Sequence, residues 1–436
     1  MNSLSLGLTS SLNEWLHYLE SLHPKEIDLG LDRVKHVANQ MDLYLKLSSL
    51  DAKIITVAGT NGKGSCVATL ESLVLSTEKS VGTYTSPHFL DYNERIRING
   101  ENASDESIVS AFCDIEKARG DVRLTYFEFG TLAAIWLFIE SNVDVIVLEV
   151  GLGGRLDAVN AFDPNIAVVT SVALDHQDWL GNDRETIGFE KAGIFRRDKP
   201  AICVDEHPPH SVVQFAEKIS ANLLLKDRDI NWHCENKLFH WQGVDKNGNT
   251  LTLDKLPIPK LPFPSVAAAL QAIALLGIDV LKLPLSNVLP SLSLTGRAQE
   301  ISIDGKRILL DVAHNPAAAL YLRDRLEKES AQKILGVFAV MADKDYPSIF
   351  NALTSKIDHW FVSGIIDNPR AETAEKLGTV LVELGLDVDT YGTVRESFAA
   401  ALAHATDRDL IVVLGSFYTV ADVLNNFYYS HRFHQM

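Results

Sequence analysis

One octapeptide carries the strongest chemical signal in the chain. Ala58–Ser65 reads AGTNGKGS, after an apolar β-branched run and at the start of a segment with helical period. Glycines in that place let backbone N–H groups wrap a polyphosphate, the helix N-terminus adds positive potential, and a lysine reaches the β- and γ-phosphates. The spacing predicts an ATP-binding loop made by Gly59, Thr60, Asn61, Gly62, Lys63, Gly64 and Ser65. It departs from strict GxxxxGK[ST]: Val57 holds the first glycine position and Gly64 the hydroxyl position, with Ser65 one residue later.

Glu149 closes the otherwise apolar run DVIVLEV. The carboxyl ends of parallel strands line the ligand crevice of doubly wound sheets, so a carboxylate there reads as functional. The following glycines do not make a dinucleotide site, because Leu156 stands where GxGxxG needs its third glycine. Beyond the next apolar run, ALDHQDWLG places Asp175, His176 and Asp178 together. On residue chemistry alone a capped turn is the better reading there, since Mg²⁺ prefers oxygen to a histidine nitrogen. Lys191 falls within a predicted helix, where the default is a solvated lysine.

The elements that must hold these groups alternate in type. Ile54–Thr60, Val81–Ser86, Asp144–Val150 and Ile166–Val172 read as strands covered on both faces, with helical-period segments between them. The stretch from Trp232 to Thr252, with Asn247, Gly248 and Asn249, reads as a β-hairpin insertion without a chemical signature. A second alternation runs through Arg307–Ala313, Ile334–Val340, Trp360–Ile365 and Leu410–Ser416. The fold class expected is α/β: a P-loop-containing parallel-sheet ATPase domain over 1–290, a linker over 291–300, and a smaller Rossmann-like α/β domain over 301–436.

Composition agrees with a large globular protein. The chain has 436 residues, 46% hydrophobic and 22% charged, enough for two or three domains at ~150 residues each. A formal charge of −17 disfavours a nucleic-acid partner, which needs a basic face. The longest apolar stretch, Phe129–Ile139, is too short to span a bilayer. The N-terminus lacks the pattern of a signal peptide, and Cys66, Cys113, Cys203 and Cys234 form no CxxC. A cytoplasmic protein without membrane contact is the expectation.

Several strings then occur in a specific order: GTNGKGS, TSPHF (Thr85–Phe89), LTYFEFGTLAA (Leu124–Ala134), LEVGLGGRLDA (Leu148–Ala158), LDHQDWLG, EKAGIF, GRAQ (Gly296–Gln299), DVAHNP (Asp311–Pro316) and LGSFYTVADV (Leu414–Val423). Nearly end to end the chain resembles the bifunctional dihydrofolate synthase/folylpolyglutamate synthases of the Mur-ligase-like superfamily. The resemblance implies a cytoplasmic, monomeric ligase in which ATP turns a substrate carboxylate into an acyl phosphate and the amine of L-glutamate displaces the phosphate. Dihydropteroate and folates are the acceptors it implies.

The same resemblance assigns residues. Ser86, Glu149 and His176 become ligands of two Mg²⁺ ions, which reverses the reading of His176 from its chemistry alone. Lys191 matches the lysine that is carboxylated in the family, and Lys63, Lys191 and His176 form the catalytic set. Thr60–Lys63, Ser265, Arg297 and Asp311 fall at ATP-contacting positions. Leu29, Gly30, Leu31, Thr125, Phe127, Leu156, Asp157 and Ala158 fall at the pterin site, and His314 and Ser416 at the glutamate site. From the residues alone Phe127 is as readily core as pterin platform, and Asp157 as readily a helix cap. Three positions depart from the family pattern: Ser265 replaces an asparagine, and Ala298 and Ala317 replace an aromatic and a histidine. Three other readings remain: folylpolyglutamate synthase activity only, a cell-wall Mur ligase acting on a UDP-sugar peptide, and a P-loop NTPase used as a switch or binding module.

Overall fold

The structure is a computed structural model; it describes residues 6–25, 27–366 and 368–429. The chain divides into two compact units, Met1–Leu292 and Ser293–Met436. The break falls just after a helix, Leu285–Ser291, that carries Pro290 in its interior.

In the first unit the described residues form an eight-stranded sheet in the order β4-β3-β2-β5-β1-β6-β7-β8. The strands are β1 (Lys53–Ala58), β2 (Val81–Tyr84), β3 (Ile96–Ile98), β4 (Glu101–Asn102), β5 (Val145–Glu149), β6 (Ile166–Val169), β7 (Pro200–Cys203) and β8 (Asn222–Leu225). All neighbours from β2 to β8 are parallel, and β3 and β4 add an antiparallel edge. The central strands are buried along almost their whole length, as a sheet covered on both faces requires. Helices from the N-terminal segment, with Trp15, Val34 and Val37 fully buried, and the helices Asp105–Arg119 and Tyr126–Glu140 pack into one apolar core with it.

The expected hairpin is a three-stranded antiparallel sheet of β9 (Asn231–Glu235), β10 (Leu238–Val244) and β11 (Thr250–Pro257). The sequence hid its first strand, because β9 contributes few buried side chains and carries no apolar alternation. This sheet rests on the helix Phe263–Leu275, where every residue from Ser265 to Ala274 is buried. Trp241 Nε1 donates to the Ala267 carbonyl at 3.2 Å, and the Gln271 amide bonds both the N–H and the carbonyl of Val244. A helix apolar all round needs cover on several sides, and the small sheet supplies one of them.

The second unit holds a six-stranded sheet ordered β12-β13-β17-β14-β15-β16. Its strands are β12 (Gln299–Ile303), β13 (Lys306–Leu310), β14 (Ile334–Phe338), β15 (His359–Ser363), β16 (Val388–Tyr391) and β17 (Leu410–Leu414). Only β12 is antiparallel to its neighbour. Edge strands β12 and β16 were not apparent in the sequence because their outer residues are polar and exposed.

Candidate active site

In the first unit the chemistry gathers at the carboxyl ends of four adjacent strands, β2, β5, β1 and β6. The chain runs outward in opposite directions from β1, which is where open α/β sheets bind ligands. Residues 59–62 leave β1 as a loop, and the helix Lys63–Leu75 follows. Gly59 and Gly62 have φ of +149° and +87°.

A hydroxyl-bearing segment after β6 braces this loop. Thr60 N–H donates to the Ser171 carbonyl at 2.8 Å, Asn61 N–H to Ser171 Oγ at 3.0 Å, and Thr170 Oγ1 to the Asn61 carbonyl at 2.7 Å. The Thr60 hydroxyl donates to the Ala173 carbonyl and accepts from Ala173 N–H. Thr170 and Ser171 are functional supports that motif reading missed; two hydroxyls directly after an apolar strand were the available signal. A Cβ on Gly59 would lie 1.9 Å from Thr170 Oγ1. Gly59→Ala is therefore expected to distort the loop at a cost of roughly 1–3 kcal/mol and to weaken nucleotide binding at least tenfold, measured by titration with ADP.

Ser265 reaches the phosphate loop from behind. It is buried at the start of the helix Phe263–Leu275, and its Oγ donates to the Gly62 carbonyl at 3.0 Å. Ser65 is likewise fully buried, at the third residue of the helix Lys63–Leu75. Lys63 folds back, its Nζ donating to the carbonyls of Gly59 at 3.0 Å and Thr60 at 3.3 Å.

Glu149 ends β5 and is buried, and Ser86 N–H donates to its Oε2 at 3.4 Å. His176 sits in a left-handed turn with φ of +51°, its N–H bonded to Asp175 Oδ1 at 2.9 Å. Lys191 is 4% exposed, contrary to the solvated lysine expected from sequence. Gly154 explains the burial: a Cβ there would be 3.1 Å from Lys191 Cα, so the glycine turn after β5 presses against the helix Arg184–Ala192. Arg155 N–H donates to the Glu190 carbonyl at 2.8 Å, and Asn160 ties Arg155 and Gly193 together. Burial, and next the charge of Lys63, bring the Lys191 amine down to about 7, against the opposing pull of Asp175 and Asp157.

Asp157 is buried and caps the turn Ala158–Ala161. Its Oδ1 accepts from Val159 N–H at 3.1 Å and its Oδ2 from Leu152 N–H at 2.8 Å. Burial raises it to about 7 although three backbone N–H groups and Lys63 oppose the shift. The edge of Phe127 lies over Gly151, 2.8 Å from where a Cβ would stand, and its ring is 5.6 Å from that of Tyr84. Thr125 is the N-cap of the helix Tyr126–Glu140, in a reciprocal box with Glu128. Gly30 N–H donates to the Leu156 carbonyl at 3.2 Å, which draws Leu29, Gly30 and Leu31 to Leu156, Asp157 and Ala158. Arg33, absent from sequence reasoning, fixes this strap: it pairs with Glu128 at 3.2 Å and with Asp28 at 2.6 Å.

In the second unit, Asp311 and Ser416 follow the neighbouring strands β13 and β17. Asp311 accepts from Ala298 N–H and Ala313 N–H, both at 2.9 Å; burial raises its carboxyl while Arg297 counteracts. The Arg297 guanidinium lies 5.0 Å from the Phe417 ring centre. Ala298 takes a φ of +44°. His314 Nδ1 is 2.7 Å from the Val312 carbonyl, and Ser416 caps the helix Phe417–Val423 through Thr419 N–H. The structure thus brings Arg297, Asp311, His314 and Ser416 to one end of that sheet.

A phosphate loop, acidic and imidazole groups at neighbouring strand ends, and a second α/β unit define an ATP-dependent ligase of the Mur type. The Mur ligase middle domain matches residues 57–226, and the Mur ligase glutamate ligase domain matches 296–417. A dihydrofolate synthase/folylpolyglutamate synthase of Escherichia coli (strain K12) is 44% identical over 416 residues, 95% of each chain. The structure of E. coli FolC in complex with DHPP and ADP superposes with a TM-score of 0.89 at 41% identity, covering 99% of this chain and 100% of that one. A bifunctional folylpolyglutamate synthase/dihydrofolate synthase with Mn, AMPPNP and L-glutamate bound gives 0.85 at 41% identity, over 96% and 98% of the two chains. The chain belongs to the dihydrofolate synthase/folylpolyglutamate synthase family.

Proposed function

We propose a division of labour for the ATP-dependent glutamate ligation of this family. The acceptor carboxylate, of dihydropteroate or of a folate's terminal glutamate, attacks the γ-phosphorus of ATP and ADP departs. The amine of L-glutamate then attacks the acyl carbon and inorganic phosphate leaves. No protein nucleophile is needed, so the residues act by positioning and by charge.

The loop Gly59–Ser65 holds the triphosphate, with Lys63 leaving its two carbonyls for the γ-phosphate. Ser265 serves the nucleotide indirectly by holding Gly62 in place. In the second unit, Arg297 and Asp311 contact ATP, and His314 and Ser416 receive L-glutamate. Glu149, Ser86 and His176 would hold two Mg²⁺ ions; a buried carboxylate, whose Oε2 accepts from Ser86 N–H, is a donor a divalent cation can use. Mg²⁺ when bound neutralises charge on the phosphates. Leu29, Gly30, Leu31, Thr125, Phe127, Leu156, Asp157 and Ala158 receive the pterin, with Phe127 as an apolar wall.

The observation that supports this most is the placement of the phosphate loop and Glu149 at adjacent strand ends, with Lys191, buried on the helix Arg184–Ala192, within electrostatic reach of Lys63. ADP release measured with dihydropteroate, tetrahydrofolate and a UDP-muramoyl peptide tests it. Turnover is expected with the first two only when glutamate is present; turnover without any acceptor, or with the peptide alone, would overturn it.

Asp157 has two duties that a pair of substitutions separates. Asp157→Ala strands two backbone N–H groups and removes a pterin acceptor, so both stability and dihydropteroate turnover should fall. Asp157→Asn keeps one carbonyl oxygen and should fold better, yet lose roughly tenfold or more in kcat/KM for dihydropteroate. The pH dependence has a definite sign. A carboxyl that titrates near 7 when folded binds more protons than the unfolded chain between about 4 and 7, so its contribution to stability declines as pH rises through that window. Thermal melts should show this slope in the wild type and its loss in Asp157→Asn; unchanged acceptor kinetics in both variants would leave Asp157 as a cap alone.

A further inference from the structure

The three-stranded sheet carries a group of side chains that glutamate ligation does not use. His233 and Glu235 are two apart on β9 and so share a face. His240 on β10 pairs directly with His233 across the antiparallel ladder. Alternation decides which face this is. Phe239 and Trp241, the neighbours of His240, are buried toward the helix beneath, so His240 points to the outer side, where His233 and Glu235 are exposed.

One nitrogen or oxygen from each of the three lies within 4.8 Å of the others. The two imidazoles are parallel, with ring centres 4.6 Å apart and planes 5° from each other. The two-residue turn that sets this register is Asn236 and Lys237, both left-handed at φ of +51° and +60°.

A separate contact bears on what the cluster can hold. His240 Nδ1 is 3.0 Å from Asp254 Oδ1, on the strand at its other side. A carboxylate accepts only, so in the neutral ring this contact selects the tautomer with the proton on Nδ1 and the lone pair on Nε2. This is how metal-binding histidines are commonly oriented, by a carboxylate behind the ring.

We propose that His233, Glu235 and His240 bind a transition-metal ion of the zinc class, with Asp254 orienting His240. Two imidazole nitrogens and one carboxylate suit Zn²⁺, Co²⁺ or Ni²⁺, whereas Mg²⁺ and Ca²⁺ take oxygen sets. Donor atoms around a tetrahedral ion with bonds of ~2.1 Å stand roughly 3.4 Å apart, so side-chain rotations of about an ångström close the site. The ion staples β9 to β10 and, by binding the folded sheet alone, stabilises it by mass action. Sequence reading missed this, because four residues, two of them the turn, lie between Glu235 and His240 and only strand pairing makes His233 and His240 neighbours.

The test uses the full chain with ADP and excess Mg²⁺ present, so that the nucleotide site does not compete. Co²⁺ is added and its visible absorption followed; Zn²⁺ is then measured by competition with a chelating dye. One equivalent is expected to bind, and Zn²⁺ should raise the melting temperature. The double variant His233→Ala/His240→Ala should lose that equivalent, and Asp254→Asn should bind roughly 10- to 100-fold more weakly. Metal-free melts confirm that the variants fold, and ligase turnover should be unchanged in both. Absence of a stoichiometric site in the wild type, or equal binding by the double variant, would overturn the proposal and leave the ligase assignment standing.

Discussion

Lys63→Ala should yield a folded protein with under a tenth of the wild-type kcat, a barrier increase above ~1.4 kcal/mol. The lysine lies at the junction of loop and helix, outside the apolar core, and its Nζ contacts include the loop carbonyls of Gly59 and Thr60. Loss of those contacts touches nothing in the sheet, so far-ultraviolet circular dichroism and the melting temperature should change little. What disappears, on the proposed assignment, is the charge that would stand beside the γ-phosphoryl group in flight. A second effect reinforces the first: Lys63 also holds down the Lys191 amine and the Asp157 carboxyl, so the variant should shift the pH profile of any residual rate upward. A rate above a tenth of wild type in a well-folded variant would remove Lys63 from the proposed site.

Lys191→Ala is expected to be nearly inactive and partly rescued by a short-chain carboxylic acid. The proposed carboxylation joins the neutral amine to CO₂, forming an N–C bond and releasing one proton, and the carbamate then offers oxygens to Mg²⁺. Only the neutral amine reacts. With the amine near 7, roughly nine-tenths is neutral at pH 8, against well under a hundredth for an ordinary lysine. Wild-type activity lost by acid treatment under CO₂-free conditions should therefore return with bicarbonate, and more completely at pH 8 than at pH 6. Full activity of an enzyme shown by a density map to carry a bare lysine would refute the modification.

The parts of the site that lie within one strand and its following loop were legible in the sequence. AGTNGKGS after β1 and Glu149 at the end of β5 are such cases, because strand, turn and helix period are local properties. The burial of Lys191 was not, since it depends on Gly154 letting a distant turn approach the helix Arg184–Ala192. Nor was Arg33, whose partner Glu128 is 95 residues away. Asp157 shows a third situation: its sequence context allowed both a cap and a ligand contact, and the structure displays the cap. The small sheet was read as a hairpin because β9 presents polar, exposed side chains that do not advertise a strand.

The strap at 27–31 has a kinetic consequence. It forms no strand; Gly30 N–H to the Leu156 carbonyl, the Leu31 carbonyl to Lys35 N–H at the start of the next helix, and ion pairs of Asp28 with Arg33, Lys25 and His23 hold it, with Arg33 also reaching Glu128. Such links total a few kcal/mol at most, less than unfolding the sheet behind it. The segment can therefore open on its own while the core stays intact. The Gly30 amide is a natural clock for that event: its hydrogen exchange counts local openings, and whatever occupies the neighbouring pocket slows it in proportion to how firmly it keeps the strap shut.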